Sequence, residues 1–98
     1  MTTEMRLTKW DPIEHLDSDE AIALYLDAAF AENDCALIAA ALGDIARAKG
    51  MSSIARESGL ARESLYRSLS TEGNPEMATI LKVINALGLK LHVSTYDA

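Results

Sequence analysis

Between Met51 and Leu69 the chain sets two short helix-forming runs on either side of a single glycine, Gly59, and no other feature restricts the fold as strongly. Two helices that cross steeply through a three- or four-residue turn need a residue that tolerates left-handed backbone, and glycine does so without steric cost. They also need a small side chain where they cross, and Ala55 is placed there. Ile54, Leu60, Leu65 and Leu69 then fall where they can close the angle against a core. The spacing predicts helices over residues 52–58 and 61–69, a helix-turn-helix spanning 51–69.

The flanking sequence supplies the rest of a helical domain. Asp17 or Ser18 can cap a helix running to about Glu32, with Asp19 and Glu20 favourably placed in its first turn. Its apolar stripe is Ile22, Tyr25, Leu26, Ala29 and Phe30. Asn33 or Asp34 starts a second helix to about Lys49, with Gly50 as its C-cap and Ile38, Ala41, Leu42, Ile45 and Ala46 on the buried face. Gly43 lies inside that helix, where it costs roughly 1 kcal/mol against alanine, so close helix packing is expected there. Residues 70–74 read as a polar turn. Pro75 fits the first position of a fifth helix reaching Leu87, with Met77, Ile80, Leu81 and Ile84 as its core stripe and Gly88 ending it.

Beyond Gly88 the period changes. Leu89, Leu91 and Val93 alternate with Lys90, His92 and Ser94, which predicts a short half-buried strand. It would pair either with the N-terminal arm or with its copy in a second subunit, since an unpaired edge invites pairing. Trp10, Ile13 and Leu16 are expected to pack the arm onto the body. The organisation is thus an arm over residues 1–16, a helical domain over 17–88, and a strand and tail over 89–98. A chain of 98 residues suits one such domain.

Charge is distributed unevenly. The net charge is −6, yet residues 1–46 hold two bases against ten acids, whereas residues 47–98 hold seven bases against five acids. Arg47, Lys49, Arg56, Arg62 and Arg67 gather around the helix-turn-helix. An acidic half beside a mildly basic one permits two unlike partners. The second helix of such a motif can enter a major groove with its first turns facing base edges. Arg62 and Arg67 are the candidates for base or phosphate contacts. Ser52, Ser53, Ser64, Tyr66 and Ser70 can hydrogen-bond phosphate or bases, and Lys49 and Arg56 add attraction to the backbone. Glu63 puts a negative charge near the phosphates, and from four residues away it can orient Arg67.

Other chemistries find little in the sequence. One cysteine excludes an intramolecular disulfide and a cysteine-built zinc cluster. His15 and His92 lie far apart, and Cys35 at a helix start has no histidine near it in sequence. Asp17, Asp19 and Glu20 lack the alternating ligands of a calcium loop, no phosphate-binding glycine loop is present, and Ser52, Ser53 and Ser58 have no triad partners placed by sequence. A regulator without enzymatic activity, metal or cofactor is expected. No apolar run reaches membrane-spanning length and no leader pattern opens the chain, so a cytoplasmic location with no membrane partner is the default.

Several stretches together carry a family resemblance: Trp10-Asp-Pro, Ala41-Leu-Gly-Asp-Ile-Ala-Arg-Ala-Lys-Gly50, Ile54-Ala-Arg-Glu-Ser-Gly-Leu-Ala-Arg-Glu-Ser-Leu-Tyr-Arg-Ser-Leu69, Gly73-Asn-Pro75 and Val83-Ile-Asn-Ala-Leu-Gly-Leu-Lys-Leu91. In these the chain resembles the HigA-like antidotes (antitoxins) of bacterial toxin-antitoxin addiction modules, within the Xre/lambda-repressor-like helix-turn-helix group. The resemblance implies an all-α, five-helix lambda-repressor-like domain, usually a homodimer, that represses its own operon by binding operator double-stranded DNA. It also implies neutralisation of a small basic toxin of the RelE or HigB ribonuclease kind encoded in the same operon. The recognition positions it implies are Ala61, Arg62, Glu63, Tyr66 and Arg67. Two departures stand out. Ala61 replaces the usual serine or threonine cap, at a cost of roughly 1 kcal/mol. Ser68 fills a slot usually held by a larger apolar residue, and Leu69 is expected to pack in its place.

Given a basic toxin, the acidic first half is the expected docking surface, with Asp19, Glu20, Asp27 and Glu32 better candidates than any apolar residue. The same residues also fit two competing readings. One is a protein–protein adaptor on the same fold without useful DNA affinity, and the other is a stand-alone Xre-type transcriptional regulator.

Overall fold

A computed structural model describes residues 18–95. The expected arm, with Trp10, Ile13 and Leu16, lies outside them. Five helices follow in order: α1 (Asp19–Ala31), α2 (Cys35–Lys49), α3 (Met51–Ser58), α4 (Arg62–Ser68) and α5 (Met77–Ala86). α1 packs on α2, and α3 packs on α2, α4 and α5. The described residues form an all-α, lambda-repressor-like helix-turn-helix domain.

Local chemistry starts the first two helices. The Ser18 hydroxyl accepts the Ala21 N–H at 3.1 Å, and Asp34 accepts those of Ala36 and Leu37 at 3.0 and 3.4 Å. Each satisfies donors that a helix start leaves without partners. α3 begins one residue after α2 ends, and Gly50 alone makes the bend at φ 106°, its N–H still donating to the Ala46 carbonyl at 2.9 Å. Gly59 ends α3 in the left-handed region at φ 78°, ψ 14°. The Gly59 and Leu60 N–H groups both return to the Ala55 carbonyl, at 3.0 and 3.2 Å. That turn sets the direction of α4.

α4 has no side-chain cap, as Ala61 dictates, and it spans only seven residues. Packing holds it in place. Leu65 and Leu69 are completely buried, and each such leucine contributes about 1.5–3 kcal/mol, more than the roughly 1 kcal/mol a cap would add. Leu69 does take the inward place next to Ser68, whose hydroxyl donates to the Ser64 carbonyl at 2.8 Å. Gly43 explains how close the end of α4 lies to α2: a Cβ there would run into the Leu69 carbonyl oxygen.

The core contains Ile22, Leu26 and Ala29 of α1, Ala41, Leu42, Ile45 and Ala46 of α2, and Met51 and Ile54 of α3, with Tyr25, Phe30 and Ile38 half-buried against it. Ala39, not expected on the inner face, is buried as well.

α5 differs from expectation in start and rotation. It begins at Met77, because Asn74, Pro75 and Glu76 continue as non-helical chain along α4. Of the expected stripe, Ile84 is buried and Ile80 packs half-buried against the core, but Met77 is 59% and Leu81 41% exposed, and Val83 and Leu87 complete the inner face instead. The helix carries apolar residues on several faces, so periodicity permits more than one rotation, and the contact with α3 selects one.

The expected strand is absent among the described residues. Residues 90–95 make no backbone hydrogen bonds to other described residues, and Val93 is 93% exposed. A strand requires a partner for its backbone groups, and the described part of the chain offers none.

Candidate nucleic-acid interface

α4 presents its side chains outward. Ala61, Arg62, Glu63, Ser64, Tyr66 and Arg67 are all exposed, on a helix anchored from behind by Leu65 and Leu69. Arg56 and Ser52 on α3 and Lys49 at the end of α2 are exposed as well, while Ser53 and Ser70 are half-buried. The Ser70 hydroxyl donates to the Arg67 carbonyl at 3.1 Å, so it stabilises the end of α4.

The cations differ in how they are held. Arg47 is drawn to Asp44 at 2.7 Å, which removes it from the basic patch. The same carboxylate accepts the Tyr25 hydroxyl at 2.9 Å. Burial first, and then this hydrogen bond and the Asp44 charge, push the Tyr25 phenol up to about 12. Lys49, Arg56, Arg62 and Arg67 have no acidic partner among the described residues. The anticipated Glu63–Arg67 pair does not form. Both side chains are exposed, and in water an i,i+4 pair gains only about 0.2–0.5 kcal/mol, too little to hold two long side chains together. Arg62 instead lies over the ring of its i+4 neighbour Tyr66, 5.5 Å from the centroid, with its Nη2 3.5 Å from the phenol oxygen. The sequence marked both residues without indicating that they meet.

Beside α4 runs a shallow cleft of about 210 Å³ between Leu60 and Arg67 on one side and Pro75 and Glu76 on the other. It is not legible in the sequence, because its far wall is the non-helical chain at residues 74–76, where the pattern predicts the start of α5. The acids expected to meet a protein partner lie on a separate element: Asp19, Glu20 and Asp27 are exposed on α1 and Glu32 caps its end. Cys35 is an exposed free thiol, and no group of three potential metal ligands occurs among the described residues. No described helix is long and apolar enough to cross a membrane.

This arrangement can place two guanidinium groups, neither with an acidic partner among the described residues, on the outer face of the second helix of a helix-turn-helix. Residues 6–95 match the protein family described as "probable addiction module antidote protein". The chain belongs to that family. An addiction module antidote is a regulatory protein and not an enzyme, and its role is to counter the toxin of its module. A protein of Haemophilus influenzae, itself described only as uncharacterized, is 51% identical to this antidote over 88 residues, covering 90% of this chain and 91% of the relative. No solved structure matches the antidote at a significant level.

Proposed function

We propose that the antidote represses its own operon by inserting α4 into the major groove of operator double-stranded DNA, and that it neutralises a small basic ribonuclease of the RelE or HigB kind encoded beside it. The observation that carries the DNA reading is the exposure of Arg62 and Arg67 on α4 with no acidic partner among the described residues. Arg62, Glu63, Tyr66 and Arg67, with Ala61 at the helix start, face bases, and Lys49, Ser52, Ser53, Arg56, Ser64 and Ser70 lie toward phosphates. A single module with so few cations has limited DNA-facing surface, so two copies on a palindrome are the working unit. Both activities belong to the cytoplasm, where operator and ribonuclease substrate are found. For toxin binding, the support is the exposed acids of α1 together with the family role.

The test is titration of the full chain against the DNA upstream of its own gene at several salt concentrations, with sedimentation of the complex in the same buffers. Affinity should fall as salt rises, with a slope near −0.9 per phosphate neutralised. Arg62→Ala and Arg67→Ala should each weaken operator binding by about ten-fold, the loss of one good base contact, with little change in melting temperature. Affinity indifferent to salt, or unchanged in both variants, would leave an adaptor without DNA binding as the better description.

A further inference from the structure

α1 is apolar on two sides. Its inner side is committed to the core through Ile22, Leu26 and Ala29, with Tyr25 and Phe30 half-buried beside them. Its outer side consists of Glu20, Ala23, Leu24, Asp27, Ala28 and Ala31, all exposed. Four of these six are apolar, and Leu24 is 70% exposed. Helix geometry places Glu20 four residues before Leu24, Asp27 three after and Ala28 four after, so these three border it directly. Surface helices ordinarily turn a polar face to water. One large aliphatic residue among alanines, framed by charges, has instead the composition of an interface centre inside a polar rim.

Charge selects the occupant. In a two-fold contact the same patch lies on both sides, and α1 contains no lysine or arginine to meet the partner's Glu20 and Asp27. A second copy is therefore repelled. The chain's own first 17 residues are no better matched, with Arg6 and Lys9 against Glu4, Asp11, Glu14 and Asp17. A basic protein is complementary.

We propose that the outer face of α1 docks a basic protein, with Leu24 as the anchor that enters an apolar pocket of the partner and Asp19, Glu20, Asp27 and Glu32 as its steering rim. This rests on the proposed neutralisation of a basic toxin and deepens it. It also changes the weighting read from sequence, which set the acids above every apolar residue. The two groups divide the kinetics. Long-range charge attraction governs how often the partners meet, and desolvated apolar contact governs how long they stay together.

The experiment immobilises a catalytically inactive form of the basic protein encoded next to the antidote and measures association and dissociation of the full-length antidote at low and moderate salt. Leu24→Ala should accelerate dissociation by about ten-fold or more while association changes by less than about two-fold. Its melting temperature should not fall, because an exposed leucine is replaced by the strongest helix former. Neutralising the rim (D19N, E20Q, D27N, E32Q) should slow association and flatten its salt dependence with dissociation little changed. Wild-type dissociation by Leu24→Ala, in the presence of normal wild-type binding, overturns the anchor and leaves toxin neutralisation standing. Absence of binding by the wild type overturns the neutralisation reading itself. A lower melting temperature or an altered sedimentation mass for Leu24→Ala would mean that another part of the chain, or a second copy, covers this face, and would also overturn the proposal.

Discussion

Replacing Gly43 with alanine tests how closely α2 is held against the end of α4. On an open helix face the change should stabilise, since alanine is favoured over glycine by about 1 kcal/mol in a helix interior. Here the new Cβ would meet the carbonyl oxygen and carbon of Leu69, backbone atoms that no rotamer change can move aside. Leu69 is fully buried, so the end of α4 cannot retreat without uncovering part of the core. Inserting a methyl group into a packed site typically costs 1–3 kcal/mol, and against rigid backbone the upper half of that range applies. After the helix gain is subtracted, the net loss should be about 1–2 kcal/mol. In a domain of this size each kcal/mol moves the melting temperature by about 4–8 °C, so a fall on the order of 5–15 °C is expected by thermal circular dichroism. Because the displaced element is α4, the operator binding proposed above should weaken in the same variant at temperatures where it remains folded. A melting temperature equal to or above that of the wild type would refute the close approach. The sign of the effect decides the matter.

Two further outcomes follow from the same structure. The Tyr25 phenol ionises near 12 in the folded protein, against about 10 in an unfolded chain, so its contribution to stability is full below pH 10 and is lost as pH rises toward 12. Solvent screening at this half-buried site limits the contribution to about 1 kcal/mol, and denaturant titrations of wild type and Tyr25→Phe should converge across that window; a constant difference through pH 12 would contradict the raised ionisation that burial and Asp44 together produce. Ala61→Ser should stabilise by about 1 kcal/mol, because Ala61 already has the extended backbone of a cap residue at φ −71°, ψ 138° and supplies no side-chain acceptor. A higher urea midpoint with unchanged slope would register this, and an unchanged midpoint would show that α4 gains nothing from a cap.

Features with local causes are legible in the amino-acid order alone. Ser18, Asp34 and Gly59 act within a few residues of themselves, so the turn of the helix-turn-helix is legible in the chain alone and each cap is narrowed to two adjacent residues. The spacing of Ile54, Leu65 and Leu69 around that turn likewise defined the inner side of α3 and α4, because each short helix has only one face rich in large aliphatic residues. The chemistry of a cap or a turn needs no distant partner.

Packing settles the remaining features, wherever a choice depends on a neighbour distant in sequence. α5 and α1 carry apolar residues on more than one side, so the period of 3.6 named candidate faces without choosing among them. Contact with α3 buried Val83 and Ile84 and left Met77 and Leu81 outside, and contact with α2 left Leu24 in solvent. Alternation at residues 89–93 indicated a strand, but a strand is completed by hydrogen bonds to another segment, and the described residues provide none. The exposed groups of α4 followed the same rule on a smaller scale. Arg62 and Arg67 each had a partner at helical spacing, yet only the aromatic face of Tyr66 retained its arginine, while the Glu63 carboxylate stayed in water.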